Sequence, residues 1–162
     1  MKNLILIGMP GSGKTTIGQL VANRLGRPFV DLDAAIEKTA NRSIPEIFAE
    51  EGETGFRRRE TEALAHFAKQ SGLVIAPGGG VVTQPENGSH LRQNGVIIWL
   101  QRPLSALPTD GRPLSQSGDL ETMYAARYPF YEALADRIVE NTDDPDTVAT
   151  KVMEAYCEIT GN

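Results

Sequence analysis

Gly8-Met9-Pro10-Gly11-Ser12-Gly13-Lys14-Thr15 is the stretch of this chain whose residue types and spacing most clearly suit chemistry. It meets every fixed position of the phosphate-loop pattern G-x-x-x-x-G-K-[ST]. The apolar run Leu4-Ile5-Leu6-Ile7 precedes it, and Ile17, Leu20, Val21 and Leu25 follow at helical spacing. A strand that turns through glycines into a helix N-terminus binds anions, because the first helical amides lack carbonyl partners and the dipole favours negative charge. Gly11 and Gly13 let successive N–H groups face one point. Lys14 can reach the outer phosphates of a nucleotide, and the Thr15 hydroxyl can ligate Mg²⁺. The plain alternative is a glycine turn that only joins a strand to a helix.

Other candidates lie downstream. Asp31 and Asp33 leave a second predicted strand at Phe29-Val30. If the chain stays extended there, both carboxylates point to one side. One can hold Mg²⁺ through water while the other accepts a proton from an attacking hydroxyl. Helix capping is the competing role. Arg57-Arg58-Arg59 opens a helix against its dipole, so local stability does not explain it. Arg57 and Glu60, three apart, can pair and so fix a guanidinium for a bidentate grip on a carboxylate, unless this is only a solvated charged face. Arg127 interrupts the apolar stripe Leu120, Met123, Tyr124, Tyr131, Leu134, so it must snorkel out or meet an anion. Pro129 should kink that helix. Gly78-Gly79-Gly80 offers backbone amides for close ligand approach, or a flexible turn. Phe48 and Phe56 suit either core or the apolar wall of a pocket. His66 and His90 have no partner at ligand spacing, and Cys157 suits helix packing.

The elements that must position these residues alternate. Gly26 stops the first helix. Ser43-Ile44-Pro45-Glu46 reads as a capping box opening a helix that Gly52 ends. A helix over 54–70, strands over 73–76 and 96–100, a helix over 120–135, a weak strand over 137–140 and a terminal helix capped by Asp144-Pro145 follow. Residues 101–118 show no period, and their prolines and glycines predict a mobile surface loop with at most one helical turn. This alternation implies a parallel sheet with helices on both faces, and ligands at the carboxyl ends of the strands. The phosphate loop, both aspartates, the glycine run and the 101–118 loop should gather at that edge.

A chain of 162 residues suits one domain, and no linker or repeat of domain scale divides it. A net charge of −5 carries no basic nucleic-acid footprint. A single cysteine fits a reducing compartment, and no signal peptide or membrane span is evident, so the expectation is a cytoplasmic protein.

Taken together these residues resemble the shikimate kinase family, over nearly the whole chain. The resemblance rests on Gly11-Ser12-Gly13-Lys14-Thr15-Thr16, Asp31 and Asp33, and Ser43-Ile44 with Glu46-Ile47-Phe48. It continues through Gly52-Glu53, Phe56-Arg57, Glu60, Gly78-Gly79-Gly80, Arg112-Pro113-Leu114, and Arg127 with Tyr131 and Ala135-Asp136. It implies a three-layer α/β/α P-loop kinase fold, a five-stranded parallel sheet of order 2-3-1-4-5. It also implies a substrate-binding helical segment at about 33–61 and a mobile lid at about 103–118. The implied activity is transfer of the ATP γ-phosphoryl to the 3-hydroxyl of shikimate, on the route to chorismate and aromatic amino acids. By that resemblance Asp33 binds the acceptor hydroxyls and is the general base. Arg57 and Arg127 hold the acceptor carboxylate, and Glu60 orients Arg57. Gly78, Gly79 and Gly80 give backbone contacts, and Phe48 and Phe56 wall the pocket. Lys14 and Arg112 stabilise charge on the transferring phosphoryl. ATP is held by Gly11, Ser12, Gly13, Lys14, Thr15 and Thr16, by Arg112, and near Pro145. Thr15 ligates Mg²⁺, with Asp31 reaching it through water. A monomer is expected.

The chain departs from the family pattern at two points. Ser105 stands at the offset, about seven residues before the Arg-Pro-Leu, where many relatives carry an adenine-stacking arginine. That leaves Arg102, or the neighbourhood of Pro145, for the base. Pro77 precedes the glycines where a small hydroxyl residue is common. Two other readings are carried forward: a related kinase with a gluconate-type acceptor, and a non-catalytic nucleotide-binding module.

Overall fold

The computed structural model describes residues 1–107 and 120–161. Arg112 and most of the expected lid fall outside that range. Five strands form one parallel sheet: β1 (Asn3–Ile7), β2 (Phe29–Asp31), β3 (Val74–Ala76), β4 (Gly95–Gln101) and β5 (Arg137–Glu140). Their order is β2-β3-β1-β4-β5, as expected. Among the described residues six helices flank it: α1 (Lys14–Leu25), α2 (Leu32–Ala40), α3 (Ile44–Ala68), α4 (Pro85–Gln93), α5 (Leu120–Leu134) and α6 (Pro145–Thr160).

The period of two along the strands divides the core. Leu4 and Leu6 of β1 join Val74, Val96, Ile98, Leu100 and Val139 on one face, under Ile17 and Val21 of α1 and Val148 and Val152 of α6. Ile5 and Ile7 join Ile75, Ile97 and Trp99 on the other, under Ile47, Phe56 and Leu64 of α3, Leu91 of α4 and Tyr131 of α5. β1 and β4 are buried almost throughout because helices cover both sides, which is why they read as unbroken apolar runs.

Local chemistry sets most of the boundaries. Ser43 and Glu46 form the reciprocal capping box at the start of α3. Asp144 caps α6 through the Thr147 amide. Gly52, at φ 72° and ψ −177°, breaks α3 into two helical segments. In the described part of the loop expected over 101–118, Leu104–Ala106 forms a 3₁₀ turn. α5 runs on through Pro129. The apolar spacing marks neither α2 nor α4. Each is nine residues long, and they bury only Leu32 with Ile36 and Asn87 with Leu91 respectively, too few to show a period. The early start of α2 also corrects the expectation of an extended chain at 31–33. β2 ends at Asp31, which caps α2 by accepting from the Ala34 amide, and Asp33 already lies in the first helical turn.

Gly26 ends α1 in the left-handed region (φ 66°), and a Cβ there would meet nothing within 4 Å. Substitution therefore tests backbone strain alone. Gly26→Ala is expected to cost about 1 kcal/mol and to lower Tm by roughly 2–4 °C; an unaltered Tm by calorimetry contradicts this.

Candidate active site

The carboxyl ends of β1, β2, β3 and β4 open onto one cleft of about 550 Å³. Pro10, Gly11, Gly13, Lys14, Thr15 and Thr16 line it from the phosphate loop, Asp31, Asp33 and Glu37 from β2 and α2. Phe48, Phe56, Arg57 and Glu60 come from α3, and Gly78, Gly79 and Gly80 from the turn after β3. Nearly every described candidate of the sequence reading is thus brought to one wall or another of a single cavity.

The phosphate loop is built by backbone geometry. Gly8, Gly11 and Gly13 have φ of 155°, 82° and 100°, where a side chain would be strained. Gly13 caps α1 with no side-chain bond, so the first amides of the helix stay available to an anion. Lys14 Nζ donates to the carbonyls of Gly8 (2.8 Å) and Met9 (3.0 Å), folded over the loop it serves. The Thr15 hydroxyl lies 3.3 Å from Asp31 Oδ2. These two oxygens are the kind of hard donor Mg²⁺ takes, in a site it otherwise fills with water and phosphate oxygens. Asp31 therefore caps α2 with Oδ1 and turns Oδ2 towards the Thr15 hydroxyl.

The deeper half of the cleft concentrates charge. Arg57 Nη1 donates to Glu60 Oε1 at 3.0 Å, and Glu60 is fully buried. Arg57 is 8% exposed, so it is not part of a solvated face. Its guanidinium lies against Gly80, where a Cβ would come within 2.8 Å of Cζ, and 5.3 Å from the Phe56 ring centre. A Cβ on Gly78 would stand 2.9 Å from Asp33 Oδ1 and 3.2 Å from Glu60 Oε2, so the glycine brings these carboxyls close to the backbone. Phe48 and Phe56 stack with centroids 4.8 Å apart and form the apolar wall. Arg127 is 6% exposed and acts electrostatically on Glu60 and on Tyr131. It does not line the cavity, yet its Nη1 is buried with no partner. Asp33 Oδ1 and Glu60 Oε2 are in the same state. Three unpartnered charged atoms from three elements mark where a polar molecule belongs.

Burial raises the Asp33 pKa, with the neighbouring Asp31 adding to the rise and Lys14 and Arg57 opposing it. Burial pushes Glu60 further, to about 7, despite Arg57.

Residues beyond the sequence reading also enter. The Glu37 carboxylate accepts from the Ile44 amide at 2.8 Å and lines the cleft beside Asp33. Asn141, just past β5, donates from Nδ2 to the Ser12 carbonyl at 2.9 Å. Arg102, already a candidate for the nucleotide base, donates from Nη1 to the Gly11 carbonyl at 3.0 Å. Arg102 and Pro145 line one adjoining cleft with Gly13, Thr16 and Asn141, so the two alternatives for the base meet in one place. The rule that ligands sit at strand carboxyl ends could have flagged Asn141.

The shift of Glu60 has a stability consequence. A carboxyl whose folded pKa exceeds its unfolded value of about 4.5 binds its proton more tightly when folded. Stability from this group is full below that value and falls as pH rises towards 7. Glu60→Gln removes the titration, and Asp33 remains in both proteins. The decline in Tm between pH 5 and 7 is expected to be shallower in Glu60→Gln than in the parent chain; parallel curves refute the raised pKa.

The model of the shikimate kinase family matches residues 10–157. A shikimate kinase of Symbiobacterium thermophilum is 43% identical, covering 96% of this chain and 97% of its own. One from Synechococcus elongatus is 41% identical over 99% of this chain and 89% of its own. Among solved structures, a shikimate kinase from Acinetobacter baumannii in complex with shikimate superposes with a TM-score of 0.85 at 32% identity, covering 100% of this chain and 94% of that one. Sheet order, cleft and sequence agree: the chain belongs to the shikimate kinase family.

Proposed function

We propose that this chain transfers the γ-phosphoryl group of ATP to the 3-hydroxyl of shikimate, giving shikimate 3-phosphate and ADP on the route to chorismate and the aromatic amino acids. The observation that carries the acceptor half is the trio of buried, unpartnered atoms Asp33 Oδ1, Glu60 Oε2 and Arg127 Nη1 beside a phosphate loop. A small acid with several hydroxyls supplies a partner for each kind.

Phosphoryl transfer needs positioning and charge neutralisation more than covalent help. Amides from Gly11 to Thr16, with Lys14, hold the nucleotide phosphates, and its base rests near Pro145. Arg57 and Arg127 grip the acceptor carboxylate. Glu60 fixes Arg57, and its own drift towards neutrality leaves more of the guanidinium charge for the substrate. Phe48 and Phe56 cover the apolar side of the ring, and Gly78, Gly79 and Gly80 add backbone contacts. Asp33 takes the proton of the attacking hydroxyl as that oxygen bonds to phosphorus and the bridging oxygen leaves with ADP. Its raised pKa makes it a stronger base than a solvated aspartate. Thr15 would hold Mg²⁺, with Asp31 reaching it through water. The ion would neutralise charge on the phosphate oxygens. Arg112 lies outside the described residues, and we assign it to the same developing charge from the 103–118 lid. The chain works as one kinase domain, with 33–61 as its acceptor-binding segment. No helix among the described residues is long and apolar enough to cross a membrane. The single free cysteine fits a reducing compartment, and a cytoplasmic monomer is the state we propose.

A coupled assay for ADP release with shikimate is expected to show turnover, and preference for gluconate or binding of ATP without turnover would overturn the reading. Asp33→Asn is expected to lower kcat by about 10²–10⁴-fold while ATP still binds. Arg57→Ala and Arg127→Ala are each expected to raise KM for shikimate by roughly 10–100-fold with KM for ATP little changed. An unaltered shikimate KM rejects the carboxylate role.

A further inference from the structure

The turn after β3 disposes of its carbonyls in an uneven way. The Gly78 carbonyl accepts from the Val81 amide at 3.1 Å. The Gly80 carbonyl accepts from the Thr83 amide at 3.1 Å and the Thr83 hydroxyl at 2.7 Å. Both are local bonds, made by the 3₁₀ turn at Val81–Thr83. The Gly79 carbonyl is bound from 52 positions away, by the Tyr131 hydroxyl at 2.7 Å. Tyr131 is fully buried on α5, with its ring centre 5.3 Å from that of Trp99. It does not line the cleft, whereas Gly79 and Gly80 do.

A trans peptide is planar, so its C=O and N–H point in opposite directions. The peptide that carries the Gly79 carbonyl carries the Gly80 N–H. With its carbonyl drawn into the core by Tyr131, its N–H is turned the other way. We propose that Tyr131 is a positioning residue for the acceptor: by pinning the Gly79 carbonyl it aims the Gly80 amide into the cleft. Gly80 itself lies against the guanidinium assigned to the acceptor carboxylate, which fills the space a Cβ would take. Tyr131 also stands beside Arg127, whose charge it feels. One buried hydroxyl thus orients an acceptor-binding peptide from the same helix that supplies an acceptor-binding arginine. A phenylalanine would fill the same volume against Trp99 but leave the 79–80 peptide free to rotate.

This inference rests on the acceptor assignment above, and the test separates the two. Shikimate is titrated into ¹⁵N-labelled protein, and the Gly80 amide and the Arg57 side chain are followed by NMR. In the parent chain both are expected to respond. In Tyr131→Phe the Gly80 response is lost or strongly reduced and the Arg57 response persists. Steady-state kinetics on the same variant are expected to show KM for shikimate raised about tenfold, with KM for ATP within about twofold. A purely structural tyrosine would lower Tm without separating the two substrates. An unchanged Gly80 response in Tyr131→Phe overturns the positioning role and leaves the acceptor assignment standing. An Arg57 response without one at Gly80 in the parent chain overturns it as well, without recourse to the variant. Silence of both residues overturns the acceptor assignment and the inference with it.

Discussion

The buried Arg57–Glu60 ion pair dictates the form of the cleft around it. Charges taken out of water are costly, and a pair survives burial only when geometry and further hydrogen bonds offset that cost. Here one guanidinium nitrogen meets Glu60 Oε1, and the other carboxylate oxygen is left without a partner. The pair sits in the second segment of α3, past the break at Gly52. That break is itself tied by charge: Arg59 grips Glu51 with two nitrogens at 2.9 and 2.8 Å, and Arg42 reaches Glu51 from the end of α2. These outer pairs are half-exposed and contribute little each, but they span the break that orients Arg57. On the inner side, Gly78 and Gly80 carry no side chains because Asp33, Glu60 and the guanidinium occupy that space.

Both glycine-rich loops solve the same backbone problem. An anion site needs N–H groups that converge, and each such group leaves a carbonyl to satisfy on the far side. In the phosphate loop those carbonyls are taken partly by neighbouring residues and partly by distant parts of the chain. Lys14 covers Gly8 and Met9, Arg102 covers Gly11, Asn141 covers Ser12, and the Ile17 amide covers Gly13. The turn after β3 does likewise through Thr83, Val81 and Tyr131. The loops are therefore shaped as much by what holds their carbonyls as by their glycines.

That division explains how much of the site could be read in the sequence. Features fixed within a few residues were legible: the phosphate loop, the Ser43 and Asp144 caps, and the stops at Gly26 and Gly52. Alternation implied a parallel sheet, while its strand order came only from the family resemblance. The Arg57–Glu60 spacing announced a pair, but not that it would be sealed from water. Asp31 and Asp33 were legible as a functional couple, yet their geometry depended on where α2 begins, and that helix has too few apolar residues to show its start. Tyr131 was visible only as part of an apolar stripe. A buried tyrosine needs a partner for its hydroxyl, which was the one available hint. Asn141, Glu37 and Arg102 act through contacts that exist only once the sheet has formed.

Charge balance connects these parts to the chemistry. Arg57, Arg127 and Lys14 face Asp33 and Glu60 in and around one cavity, and burial pushes both acids towards their neutral forms. Lys14 and Arg57 hold Asp33 back and Arg57 and Arg127 hold Glu60 back, yet burial outweighs them at both and raises Glu60 to about 7. Asp31 and Glu37 add negative charge on the same wall as Asp33, and the raised pKa of Glu60 offsets part of it near neutral pH. In the proposed reaction, anionic substrates favour a less charged Glu60 and an attacking hydroxyl favours a more basic Asp33. Burial acts in both directions at once, because raising a carboxyl's pKa both neutralises the acid proposed to hold Arg57 and strengthens the acid proposed as base.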